Sequence, residues 1–136
     1  MTRNDFQIVA RLRLREARTL ARNGHEQGVY YLGGVAAECA LKACIAKQTK
    51  KYEFPPSRRV IDRTYAHDLE ELLATAGLKA QLELDMKTNP SLAAHWTVVK
   101  SWNIDSRYRA SGLSGRDMLA ALSGPNGVIS WVRQDW

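Results

Sequence analysis

Cysteine and histidine are scarce in this chain of 136 residues, which contains two cysteines and three histidines. Cys39 and Cys44 are five residues apart, which on one helix separates their Cα atoms by more than about 7 Å and excludes a disulfide between them. Two cysteines on one helix and three scattered histidines do not form a metal-ligand set. We therefore predict no metal site, and two buried cysteines in a reducing compartment.

The sequence also lacks the segments that direct a chain to a membrane. Residues 1–6 are polar and charged, and no apolar run follows them as it would in a signal peptide. No stretch of about 18 uncharged apolar residues is present to span a bilayer. The glycines of "YYLGGVAA" are followed by no Lys-Ser/Thr pair and preceded by no strand, so they do not form a phosphate loop. These absences predict a soluble cytoplasmic protein with no membrane partner and no cofactor.

The length fits one compact domain, residues 1–136, that needs no metal or disulfide to stabilise its core. Twenty Lys and Arg residues against fourteen Asp and Glu leave a net charge of +6. Such a surface suits acidic partners such as nucleic acid, a nucleotide or an acidic protein. The alternative is that the charge serves only solubility.

Helical periodicity runs through the chain, and the alternation typical of strands is missing. The sequence therefore predicts an all-α bundle of five to six helices. One long irregular segment, Lys50 to Arg63, contains a double proline that stops a helix. The first predicted helix is capped by Thr2 or Asn4 and runs to Asn23. The others are 25–48, a short helix from His67 or Asp68, one or two turns within 78–87, a helix that Asn89 caps and Pro90 begins, 117–122, and a last one from 128.

Four arginines of the first helix, Arg11, Arg15, Arg18 and Arg22, follow one another at steps of four, three and four residues. This spacing places them along one face of the helix. Two interpretations are open. The face is either solvated or directed toward phosphate groups.

The segment "YYLGGVAAECALKACIAK" is almost entirely apolar, yet it contains Glu38 and Lys42 four residues apart. A helix of this composition is buried between neighbours, and an unpaired charge there is costly. We therefore expect the pair to meet partners from other segments, with His67, Arg107 and the Tyr108 hydroxyl as candidates. Either Glu38 links the start of the third helix to the "SRYR" segment, or the five residues line a pocket for a nucleotide or RNA phosphate. In such a pocket Lys42 and Arg107 bind phosphate, Tyr108 stacks on a base, and His67 hydrogen-bonds or titrates.

Four tryptophans lie in the last third of the chain. Trp96 and Trp102 have the spacing of core residues. Trp131 and Trp136, near the end of the chain, are either core residues or part of a dimer or partner interface, where tryptophan is enriched.

The order of several motifs resembles that of small prokaryotic HEPN-domain proteins. These motifs are Tyr30-Tyr31, Glu38, "ALKA" and the later "AHDL", followed by "SRYR" and "GVISWVRQDW". The resemblance covers nearly the whole chain. It implies an antiparallel helical bundle that forms a homodimer, often beside a minimal nucleotidyltransferase partner in a toxin–antitoxin or defence pair. Some members of the family are metal-independent ribonucleases, and others are non-catalytic binding partners.

In the family that the chain resembles, the ribonuclease branch carries an arginine, four to six residues and then a histidine on a late helix. A histidine can move the 2′-hydroxyl proton, and a guanidinium can hold the scissile phosphate. Here only Arg18 and His25 have this spacing, and they lie at the join of the first two predicted helices. The other route to such a site is folding that brings His67 to Arg107 or Arg109.

The sequence thus favours a dimeric HEPN-like binding module that engages RNA, a nucleotide or a cognate nucleotidyltransferase without strong catalysis of its own. The alternative is a metal-independent endoribonuclease toxin that uses His67 with Arg107 or Arg109. A purely structural interaction protein is a third possibility.

Overall fold

The computed structural model describes residues 1–48 and 58–136, and in these ranges all regular secondary structure is helical. Eight α-helices and one 3-10 helix form there. They are α1 (Arg3–Arg22), α2 (Glu26–Gln48), α3 (Arg58–Thr64), α4 (Leu69–Thr75), α5 (Lys79–Thr88), α6 (Pro90–Lys100), the 3-10 helix (Ile104–Tyr108), α7 (Gly115–Leu122) and α8 (Val128–Val132). The all-α prediction is confirmed.

The described residues contain more helices than the five to six predicted. Part of the excess is α3, which occupies the end of the segment predicted to be irregular; that prediction is wrong for residues 58–63, and residues 50–57 lie outside the described ranges. The helices α3, α4, α7 and α8 have only five to eight residues. Helices this short are not stable alone, so they form because the bundle packs against them.

Helix ends follow the capping chemistry of the sequence. The Thr2 side chain accepts a hydrogen bond from the Asp5 N–H and the Asp5 carboxylate accepts one from the Thr2 N–H, which makes a capping box at the start of α1. Asp68 caps α4, and Asn89 caps α6 ahead of Pro90. Between α1 and α2, Gly24 has a φ of +75°, a conformation that glycine adopts without steric cost. These local signals place the predicted starts of α4 and α6 within a residue or two.

The centre of the bundle is α2, which packs against α1, α4, α7, α8 and the 3-10 helix. The glycines of α2 allow its neighbours to approach closely. A Cβ atom at Gly34 would lie 2.0 Å from the Trp102 indole nitrogen, and one at Gly33 would lie 2.9 Å from Met118. A side chain at either position would not fit in this space. The close packing of α2 against its neighbours therefore compensates for the low helix propensity of glycine.

By length and composition α2 could also cross a membrane, since its most apolar window has a mean hydropathy of 1.3. In the fold, 67% of that window is buried. The core helices of soluble proteins can be equally long and apolar, so the composition of α2 does not assign the chain to a membrane.

All four tryptophans are buried within the chain itself. The Trp131 indole N–H donates to the Asp85 carboxylate at 2.8 Å. The Trp136 ring lies between two guanidinium groups, with Arg11 4.8 Å and Arg133 5.5 Å from its centroid. Of the two interpretations of Trp131 and Trp136, the structure therefore supports the core.

Candidate functional site

The carboxylate of Glu38 lies at the centre of a polar cluster in the middle of α2. The Lys42 ammonium donates to its Oε1 at 2.8 Å. The Nδ1 atom of His67, which immediately precedes the Asp68 cap of α4, is 3.1 Å from both carboxylate oxygens. Three of the five residues predicted to line a common site therefore meet.

Burial makes this cluster a structural link. The side chains of Glu38 and Lys42 are only 10% and 12% exposed. Burial of the Glu38 carboxylate carries a desolvation cost, which the Lys42 and His67 nitrogens that face it offset. The carboxylate in turn offsets the cost of burying the Lys42 ammonium. The cluster thus ties α2 to the start of α4. It also leaves Lys42 committed to Glu38 rather than free for a phosphate group.

His67 has one side in this link and the other in solvent, because 51% of its side chain is exposed. With a carboxylate facing Nδ1, the neutral ring carries its proton there and leaves Nε2 as an acceptor. In this tautomer Nε2 is able to accept a proton from a bound molecule. This is the one feature of the cluster that suits chemistry as well as structure.

Arg107 and Tyr108 lie elsewhere, on the 3-10 helix. Tyr108 is 75% exposed, and the Arg107 guanidinium lies over its ring at 4.7 Å from the centroid. In the part of the chain that the structure describes, no hydrogen bond or ion pair joins either residue to Glu38, Lys42 or His67. The predicted five-residue site is therefore divided into a buried cluster and an exposed cation–π pair.

Arg109, the next residue along the chain, lines two open depressions. The first, of about 230 Å³, is lined by Tyr30, Ser106 and Arg109 among others. Burial raises the pKa of the Tyr30 phenol, and the positive charge of Arg109 offsets part of that rise. The second depression, of about 440 Å³, lies between Arg109 and the turn from α1 to α2 that contains His25.

The segment that carries Arg109 is fastened to the first turn of α2. The Gln27 side chain donates to the Leu113 carbonyl at 2.9 Å and accepts from the Leu113 N–H at 3.1 Å. The Glu26 carboxylate accepts from the Arg116 N–H at 2.9 Å. These bonds explain why Arg109 faces Tyr30 rather than Glu38, since the two α2 residues are eight positions, or about 12 Å, apart along the helix axis.

Sequence reasoning missed Tyr30 and His25 as neighbours of Arg109. No spacing rule joins them, because the contact depends on the Gln27–Leu113 bonds between segments 86 residues apart. The only signal was the Tyr30-Tyr31 pair within the family resemblance, which does not point to a partner.

The arginine face of α1 forms a further basic surface. Arg11, Arg15, Arg18 and Arg22 are all exposed. None of them forms an ion pair with another described residue, whereas Arg13 of the same helix pairs with Glu16. The face is thus a cationic surface that no described carboxylate neutralises.

Within residues 1–48 and 58–136, no group of three or more His, Cys, Asp and Glu side chains is arranged to hold a metal ion. The two cysteines are free and buried, and burial raises the pKa of each thiol to about 11. Their thiols are therefore protonated and poor nucleophiles at neutral pH. Comparison of the chain with protein-family models, with curated proteins and with solved structures finds no match in any of the three.

Proposed function

We propose that this chain is a binding module for single-stranded RNA, or for a nucleotide with the same groups, and that it lacks strong catalysis of its own. The observation that carries the proposal is the exposed segment Arg107–Arg109. Its central Tyr108 ring is 75% exposed and has a guanidinium stacked on it. An aromatic ring beside guanidinium groups is the surface on which unpaired bases stack and phosphates pair.

The separation of His67 from Arg107 and Arg109 supports binding over catalysis. Metal-independent cleavage of RNA needs an imidazole and a guanidinium at the same phosphate. His67 is held on Glu38, while Arg107 is stacked on Tyr108 and Arg109 faces Tyr30. No described contact brings either guanidinium to the imidazole.

The resemblance to HEPN-domain proteins extends this proposal. It implies that the module is an antiparallel HEPN-like bundle, works as a homodimer in the cytoplasm, and pairs with a cognate minimal nucleotidyltransferase in a toxin–antitoxin or defence system. The net charge of +6 supports an acidic ligand. Sedimentation of the purified chain tests the dimer, and co-purification with a neighbouring nucleotidyltransferase tests the pair.

Fluorescence anisotropy with a labelled single-stranded RNA tests the binding site. Tyr108→Ala removes the stacking ring and should weaken binding about 10-fold, since one stacked base contributes roughly 1–3 kcal/mol. Tyr65→Ala is the matched control, because Tyr65 is exposed to a similar degree, 78%. Equal affinities for both variants and the unmodified protein would contradict the proposal.

The contact between Glu38 and His67 supports a second candidate, a metal-independent ribonuclease, because it holds a half-exposed imidazole in place. Incubation of labelled RNA with the protein in EDTA tests this function. Cleavage that disappears in His67→Ala and persists in His95→Ala would support it. His95 is a suitable control because its ring is bonded to the Asn126 carbonyl at 2.7 Å, away from Glu38. No cleavage at micromolar protein would count against the enzyme.

A further inference from the structure

The outer face of α1 offers chiefly positive charge to a partner, together with the exposed apolar side chains of Ile8 and Leu12. Its arginines extend from Arg11 to Arg22, eleven residues or about 16 Å along the axis. The acidic residues of this helix are used locally, since Asp5 caps it and Glu16 pairs with Arg13. The Arg11 guanidinium lies over the Trp136 ring, and Arg11 nevertheless remains exposed to solvent. The arginine face, defined as Arg11, Arg15, Arg18 and Arg22, therefore carries four charges without a described carboxylate partner.

This face leads directly to the RNA site proposed above. After Arg22, residues 23–25 turn into α2, and Gly24 and His25 line the depression of about 440 Å³. Arg109 also lines this depression, as does Glu26, whose carboxylate accepts from the Arg116 N–H. A path thus runs from Tyr108 through Arg109, past His25 and Glu26, to the arginines of α1.

The charge and composition of the path decide which occupant it suits. A second copy of α1 would place four arginines against four, which is repulsive. No aromatic side chain is exposed on this face, so it has no platform for bases and suits a phosphate backbone. An acidic protein would match the charge, but it would not explain why the face continues into a site with an exposed ring for a base.

We infer that a single RNA strand whose base stacks on Tyr108 continues across the depression, and that the arginine face of α1 binds its phosphates without reading sequence. This inference rests on the proposed RNA-binding function. It predicts that RNA length matters. A short strand reaches only the Tyr108 end of the path, whereas a longer strand also reaches α1.

The experiment measures the dissociation constant of labelled RNAs of about 4 and about 16 nucleotides, the range of site sizes of single-strand binding folds, at several salt concentrations. Arg15→Gln with Arg22→Gln should lower the slope of log K against log salt by about 1.4 for the long RNA, at about 0.7 for each phosphate that is no longer neutralised. The slope for the short RNA should not change. Lys79→Gln with Lys87→Gln removes the same charge from exposed positions on α5 and should leave both slopes unchanged.

Each outcome separates this inference from the function on which it rests. An unchanged slope for the long RNA, with binding still sensitive to Tyr108→Ala, would overturn the path along α1 and leave the Tyr108 site standing. An equal decrease in the α5 variant would also overturn it, because the effect would then be one of net charge. A change in sedimentation of the α1 variant without RNA would overturn it too, because the face would then form a contact between copies. Failure of the unmodified protein to bind either RNA would overturn both proposals.

Discussion

The two longest helices, α1 and α2, treat positive charge in opposite ways. On α2, Lys42 is 12% exposed and its ammonium lies 2.8 Å from the Glu38 carboxylate. On α1, four arginines are exposed and have no carboxylate partner among the described residues. A cation taken out of water needs a counter-charge within the protein, whereas a cation at the surface is solvated by water and stays available to an anionic ligand. The comparison therefore separates a charge that serves the fold from charges that can serve binding.

The largest expected effect comes from removing the acid of the buried pair. Glu38→Gln keeps the shape of the side chain but leaves Lys42 without a counter-charge, so the free energy of unfolding should fall by about 3 kcal/mol. Urea denaturation measures this decrease. Glu16→Gln, which removes the partner of Arg13 on α1, is the control and should cost less than about 1 kcal/mol. Equal decreases at the two positions would remove the distinction between the helices.

The cysteines of α2 sharpen the same comparison, because the environment that withdraws Glu38 from water also surrounds Cys39. Burial raises the pKa of Cys39 to about 11 from its ordinary 9.0, and the nearby Glu38 charge adds to the rise. At pH 8 the folded protein should have about 100-fold less thiolate at this position than the unfolded chain, and alkylation should slow accordingly. Mass spectrometry of iodoacetamide-treated protein, with and without denaturant, checks this.

The raised pKa values of the two thiols also make the free energy of unfolding depend on pH. Because the folded-state pKa is above the unfolded value, the contribution of the protonated thiols to stability is complete below about pH 9. It is lost as the pH rises from about 9 through about 11. Replacement of both cysteines by alanine should flatten the fall in stability in this window. An equally steep fall in the alanine variant would contradict the assignment.

A smaller effect is expected when both charges of the pair are removed together. Glu38→Met with Lys42→Leu replaces the ion pair by apolar side chains and leaves no buried charge, so stability should lie within about 1.5 kcal/mol of the unmodified protein. Comparison with Glu38→Gln in the same urea titration shows whether the unpaired Lys42 ammonium is what destabilises the single variant. A double variant as unstable as the single one would mean that the link to His67 holds α4 in place.

The smallest effect on stability is expected from the arginine face. Arg15→Gln with Arg22→Gln alters exposed side chains that pair with no described carboxylate, so the free energy of unfolding should change by less than about 0.5 kcal/mol. Thermal or urea unfolding measures it. A decrease of several kcal/mol would show that this face packs against a second copy or another element, and would weaken the contrast with α2.

Much of the helical framework could be predicted from the sequence, because helix starts depend on residues within one turn. Thr2, Asp68 and Asn89 cap helices as their side chains allow. The number of helices could not be predicted, since α3 is too short to form without neighbours. The Glu38–Lys42 contact was predictable from its four-residue spacing, and the structure confirms it.

The sequence by itself determined most of the helical segments, where the arginine face lies on α1, and that a buried carboxylate on α2 would need partners. Only the tertiary structure decided which partners it has. His67 reaches Glu38 across 29 residues, while Arg107 and Arg109 are carried to the other end of α2 by the bonds of Gln27 to Leu113. The physical reason is range: hydrogen bonds and sterics within a turn act between neighbours in the chain, whereas contacts between helices depend on how the whole core packs.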